Sequence, residues 1–163
     1  LKSLRITNNA LAELPPLAEL PKLQTLVLDH NSLAALPPLP PSLKTLSAVA
    51  NKLVGAPMAV YACGKLTDID LSQNPTMGAW QLPRPLDAPL LGALRRLGLD
   101  GCGLSSLPHD MGAFRQMQNL SLRGNALTAV PSSLLADTTL NQLRLNVTTI
   151  DGVDPQRVII NRD

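Results

Sequence analysis

Seven copies of the pattern L-x-x-L-x-L-x-x-N-x-L run through this chain, and repetition at that period leaves few folds open. The copies start at Leu1, Leu23, Leu43, Leu66, Leu94, Met117 and Leu140. Successive starts lie 22, 20, 23, 28, 23 and 23 residues apart, so five of the six spacings fall between 20 and 23. A unit this short cannot bury its own apolar side, and it must stack against its neighbours. Within each copy the x-L-x-L-x stretch alternates with period two, which predicts a short strand with its leucines on one side. Stacked copies then give an α/β solenoid: a right-handed coil with a curved parallel sheet on its concave face. The convex face is expected to hold mostly extended, short 3-10 or short helical segments.

The asparagine of the motif stands where the chain leaves the strand. Its amide both donates and accepts, so it can satisfy backbone groups of adjoining coils that burial would otherwise leave unpaired. This ladder is expected to comprise Asn9, Asn31, Asn51, Asn74, Cys102, Asn125 and Thr148, with Cys102 and Thr148 as substitutes that still donate. After it, Leu14-Pro15, Leu36-Pro37, Leu107-Pro108 and Val130-Pro131 carry the chain to the convex side. Proline fixes φ and supplies no N–H, so these segments read as extended or polyproline-like. Helical turns are expected only at residues 110–116 and 132–137.

Composition agrees with one layer repeated many times. Aromatic residues make up 2% of the chain, a single Trp, Tyr and Phe, so leucine must do most of the core filling. The 163 residues are enough for one domain, 1–163. The chain starts in mid-pattern at Leu1-Lys2-Ser3-Leu4, with no initiator methionine or leader, and reads as a fragment of a longer protein. Val158-Ile159-Ile160 predicts a short strand or cap within 154–163.

The repeats resemble the leucine-rich-repeat superfamily over residues 1–153. A narrower likeness lies in residues 23–42, LQTLVLDHNSLAALPPLPPS. Its 20-residue length and its Leu36-Pro37-Pro38-Leu39-Pro40 ending are similar to the short LPX repeats of bacterial type III secreted effectors, which include invasion-plasmid-antigen-like ubiquitin ligases. Leu14-Pro15-Pro16-Leu17 and Leu20-Pro21 fit nearly as well, while Leu107-Pro108-His109-Asp110-Met111 looks like the longer 23-residue type. The resemblance implies a protein-binding domain of a virulence effector, secreted by a bacterium into the host cell cytoplasm. Any ligase chemistry would lie downstream in a helical domain with a catalytic cysteine, so no catalytic residue is carried over.

The candidate binding surface is the concave face, where the residues between and beside the strand leucines are exposed. Seven strands about 4.8 Å apart span roughly 29 Å, enough for about 800 Å² of contact with a partner. The charged residues expected there are Arg5, Asp29, Asp68, Asp70, Arg96, Asp100, Arg123 and Arg144, with the acids near the middle and most of the arginines toward the C-terminal side. Opposed charge of this kind orients a partner; paired with neighbours, it is only a solvated surface. The lengthened fourth spacer, residues 75–93, carries Trp80, and filling a widened gap between unequal repeats is preferred over presenting the indole to a partner.

Other functions find little footing. A net charge of +2 is too small for a nucleic-acid backbone binder. No apolar run reaches the roughly 18 residues of a membrane span, and no small-molecule substrate or cofactor is evident. His30 and His109 stand more than three repeats apart and cannot share a metal or a triad. Cys63 reads as a small buried hydrophobe and Cys102 as a ladder residue on another side of the coil, which argues against a disulfide. Gly101-Cys102-Gly103 is too short to cradle phosphate. The sequons at Asn119 and Asn146 fall on the proposed face and read as chance matches. The expectation is a non-enzymatic module that binds a protein target. The alternatives are a substrate-recruiting domain of a ubiquitin ligase, or an extracellular receptor or inhibitor domain, against which the lack of cysteine-paired caps counts.

Overall fold

The structure, a computed structural model, describes residues 1–136 and 139–145. Seven three-residue strands form one parallel sheet in chain order: β1 (Ser3–Arg5), β2 (Thr25–Val27), β3 (Thr45–Ser47), β4 (Asp68–Asp70), β5 (Arg96–Gly98), β6 (Asn119–Ser121) and β7 (Gln142–Arg144). The register follows the motif. Leu4, Leu26, Leu46, Ile69, Leu97, Leu120 and Leu143 pair across successive strands and form one spine. From β2 onward the spine is buried, whereas Leu4 on edge strand β1 is only half-buried. Backbone bonds continue past the strands, as in Leu28 N–H to Ser47 O and Leu122 N–H to Arg144 O.

The ladder is built as the motif requires. Asn51 donates to the carbonyls of Leu28 (3.0 Å) and Ala48 (3.1 Å) and accepts from Leu33 N–H (3.1 Å). Asn31, Asn74 and Asn125 make the corresponding bonds in their own coils. Each amide therefore staples two coils together and removes the cost of stranded buried donors. The Cys102 thiol donates to Leu71 O at 3.2 Å, keeping the donor half of the role. Asn9 departs from the expectation. It holds the ladder position but stands exposed beside the edge strand, and its side chain bonds only the Thr7 carbonyl of its own coil. Thr148 and the cap expected at 154–163 lie outside the described residues.

One backbone feature recurs that the motif's letters do not show. The residue just before the ladder position is left-handed in six successive coils: Asn8, His30, Ala50, Gln73, Gly101 and Gly124 all have φ between 55° and 64°. The chain turns sharply inward there, which brings the next side chain under the sheet. His30 is thus placed by a turn, where histidine tolerates positive φ better than most residues.

The convex side is mostly extended, with short 3-10 turns at Met58–Ala62, Pro89–Gly92 and Met111–Ala113 and one α-helical turn, α1, at Ser132–Leu135. Two of these fall where sequence placed them, though shorter than the expected 110–116 and 132–137. The turns at Met58–Ala62 and Pro89–Gly92 were not anticipated. They pack against each other across adjacent coils and supply Val60, Tyr61, Leu90 and Leu91 to the core. Trp80 is 3% exposed and lies in that core, its ring 6.4 Å from that of Tyr61. The indole fills the widened space between unequal coils. The Tyr61 hydroxyl donates to Gln81 O at 2.6 Å, tying the insertion to the coil before it.

Candidate functional site

Because each strand's central spine residue alternates with its two neighbours, the side chains that flank the spine point away from the core. On that outer face lies an open hollow of about 390 Å³ that reaches from β3 to β7. Thr45, Ser47, Asp68, Asp70, Arg96, Gly98 and Arg144 are among the residues that line it. Gly98 makes room at the centre: a Cβ there would lie 2.7 Å from Asp70 Oδ1, so the Asp70 carboxylate leans into the space over β5.

The eight charged residues expected on this face divide by what their atoms already do. Asp68 and Arg96 form an ion pair at 2.7 Å on neighbouring strands. With Arg96 68% exposed, such a pair contributes at most about 1 kcal/mol. Asp29 and Asp100 turn out to be joints between coils. Asp29 Oδ1 accepts from Ser47 Oγ (2.6 Å) and Val49 N–H (2.9 Å), and Asp100 Oδ1 accepts from Ser121 Oγ (2.7 Å) and Arg123 N–H (2.8 Å). Asp70 is exposed and uses one oxygen to accept from Ser72 N–H at 3.0 Å. Arg5 is exposed on edge strand β1, outside the hollow. Arg123 and Arg144 make no ion pair among the described residues, and the Nε of each is buried without a hydrogen-bond partner.

The hollow thus joins Asp68, Asp70, Arg96 and Arg144, while Asp29 and Arg5 stand apart from it and Asp100 and Arg123 lie one row beyond its rim. Thr45 was missed by sequence reasoning, although it occupies the same register as Asp68 and Arg96 and following that row back to β3 would have found it. The inward use of Asp29 and Asp100 also had a signal. In each case a serine follows in the next coil at the position that faces the carboxylate.

Cysteine chemistry is suppressed. Both thiols are free and buried. Burial, with a smaller contribution from the nearby Asp100 and Asp70 carboxylates, pushes the Cys102 thiol up to about 11; burial likewise raises that of Cys63. A thiol held protonated is a poor nucleophile. Among the described residues, no group of three or more His, Cys, Asp or Glu side chains is placed to hold a metal, and no helix is long and apolar enough to cross a membrane. The Asn119 amide of the first sequon donates to Gln142 Oε1 at 3.0 Å within the sheet face; Asn146 lies outside the described residues.

Comparison with known proteins adds one match. The family model for Leucine Rich repeats (2 copies) fits residues 1–41, the first two coils. No curated protein matches the chain. The coils that follow the matched pair repeat its strand register and its asparagine ladder. The fold is a leucine-rich-repeat solenoid, and the match supports placing the chain in the leucine-rich-repeat superfamily.

Proposed function

We propose that the chain is a protein-binding module that holds a target protein against the outer, concave face of its sheet, as the target-recognition segment of a bacterial effector acting inside a host cell. The observation that carries the binding reading is the hollow over β3 to β7. Its floor is the spine residues Leu46, Ile69, Leu97 and Leu120, and around them stand side chains the core does not need, with carboxylates toward one end and a guanidinium at the other. Complementary charge steers and orients a protein partner, and an open face of this breadth suits a macromolecule better than a small substrate. The segment binds and performs no chemistry of its own. The effector context rests on the proline-rich endings of the first two coils, Leu14-Pro15-Pro16-Leu17 and Leu36-Pro37-Pro38-Leu39-Pro40. In that context a ubiquitin ligase domain outside this sequence would act on what the solenoid recruits.

The test is recovery of a discrete host-cell protein by the purified chain, compared with a variant that fills the hollow. Asp70→Arg with Thr45→Arg places two bulky cations on the face without touching the joints made by Asp29 and Asp100. Arg115→Glu, exposed and away from the sheet, is the control. The double variant should lose the bound protein and the control should keep it. Retention by the double variant would remove the face from consideration.

A further inference from the structure

Two arginines on the sheet face each carry a donor that no acceptor among the described residues satisfies. Arg144 in β7 pairs with Ser121 of β6, and Arg123 follows Ser121 by two residues, on the same side of the chain. A strand spacing of about 4.8 Å and a rise of about 3.3 Å per residue put the two backbone positions roughly 8 Å apart. Long side chains at that diagonal can reach a common point. Each guanidinium is partly buried, and its Nε is shielded from water with no acceptor among the described residues. A buried donor without a partner is uncommon in a folded protein and calls for an explanation. The nearest acids on the face are already engaged: Asp68 by Arg96, and Asp100 Oδ1 by Ser121 Oγ and Arg123 N–H. Among the described residues neither guanidinium is held in an ion pair.

We infer that Arg123 and Arg144 form a seat for a carboxylate, an aspartate or glutamate side chain presented by the target protein; this rests on the sheet-face reading above. A guanidinium offers parallel N–H donors that match the two oxygens of a carboxylate, and the Nε–H belongs to that fork. The outer N–H groups of each fork meet the carboxylate first, and a small turn of each guanidinium then brings its shielded Nε–H to it. The seat also gives the face a direction, with the partner's acid over β6 and β7 and its basic groups toward Asp70. Arg5, exposed in edge strand β1 and remote from both, serves as an internal reference.

The experiment follows the arginine Nε–H resonances of the ¹⁵N-labelled chain during titration with an acetylated, amidated tetraglutamate peptide and, separately, with inorganic phosphate. The expected result is a saturable, joint shift of the Arg123 and Arg144 signals with tetraglutamate and none at Arg5. Arg123→Lys and Arg144→Lys keep the charge but remove the Nε–H, and each should weaken the peptide at least tenfold. Saturation by phosphate alone would overturn the carboxylate assignment. Equal shifts at Arg5, or shifts that depend on protein concentration without probe, would overturn the seat in favour of diffuse charge or self-association. No saturable shift with either probe, while Asp70→Arg with Thr45→Arg still abolishes target capture, removes the seat and leaves the sheet-face reading standing.

Discussion

Replacing Asn74 by alanine isolates what the ladder contributes. The side chain is fully buried, donating to Leu71 O (2.7 Å) and Ala48 O (3.0 Å) and accepting from Leu53 N–H (3.0 Å). The two carbonyls do not lose everything in Asn74→Ala. Ala48 O still accepts from Asn51, and Leu71 O from the Cys102 thiol. Leu53 N–H is left with no acceptor, a stranded buried donor that costs about 1–3 kcal/mol, and each lost donation removes about 1 kcal/mol more. The expected loss is about 3 to 5 kcal/mol, a large share of the 5–15 kcal/mol typical of a whole domain. Asn9→Ala, at the same motif position but exposed and bonded only to Thr7 O, should cost under about 0.5 kcal/mol. Asn74→Cys keeps a donor, as Cys102 does, but offers no good acceptor to Leu53 and should fall between. Urea denaturation followed by circular dichroism gives the three values. Equal midpoints for Asn74→Ala and Asn9→Ala would show that burial of the amide is irrelevant, and the account of the ladder would be wrong.

Three further outcomes follow from single positions. Ala50 has φ 55° where Gly101 and Gly124 occupy the same step of later coils, so Ala50→Gly should stabilise the chain by about 0.5–1 kcal/mol; an unchanged or lower urea midpoint refutes this. Trp80 is the only tryptophan and is 3% exposed, so native fluorescence should be blue-shifted and resist acrylamide quenching until unfolding; quenching as strong as in urea would mean the indole is presented to solvent after all. For Cys102 the folded thiol is raised from 9.0 to about 11, so the folded state holds the proton more tightly than the unfolded state. Its contribution to stability is complete below pH about 9 and declines as pH rises from 9 to 11. The melting temperature of Cys102→Ser should therefore fall less steeply than that of the unaltered chain over that window, and parallel curves would contradict the assignment.

Much of this protein was written in its spacing. A leucine recurring every 20 to 28 residues admits one solution, in which coils share a spine, and β1 to β7 fall on the motif with no slip in register. The ladder at Asn31, Asn51, Asn74, Cys102 and Asn125 was legible for the same reason, because a polar side chain buried between coils must bond the backbone of its neighbours; Asn9, exposed beside the edge strand, was not. Periodicity also placed the sheet-face residues on one side, since strands alternate. It could not say how those side chains are spent. Asp29, Asp70 and Asp100 look alike as letters, yet Asp29 and Asp100 bind a serine and a backbone N–H of the next coil while Asp70 leans over the gap left by Gly98. That choice depends on which residue stands one strand away, a distance of about 20 positions in sequence but about 4.8 Å in space. The insertion's packing, with Trp80 against Tyr61, was decided in the same way, because only the assembled coils define the cavity an indole can fill. Sequence fixed the repeat through short-range pattern; the stacked structure alone determined which polar groups remain free, because their partners come from other turns of the coil.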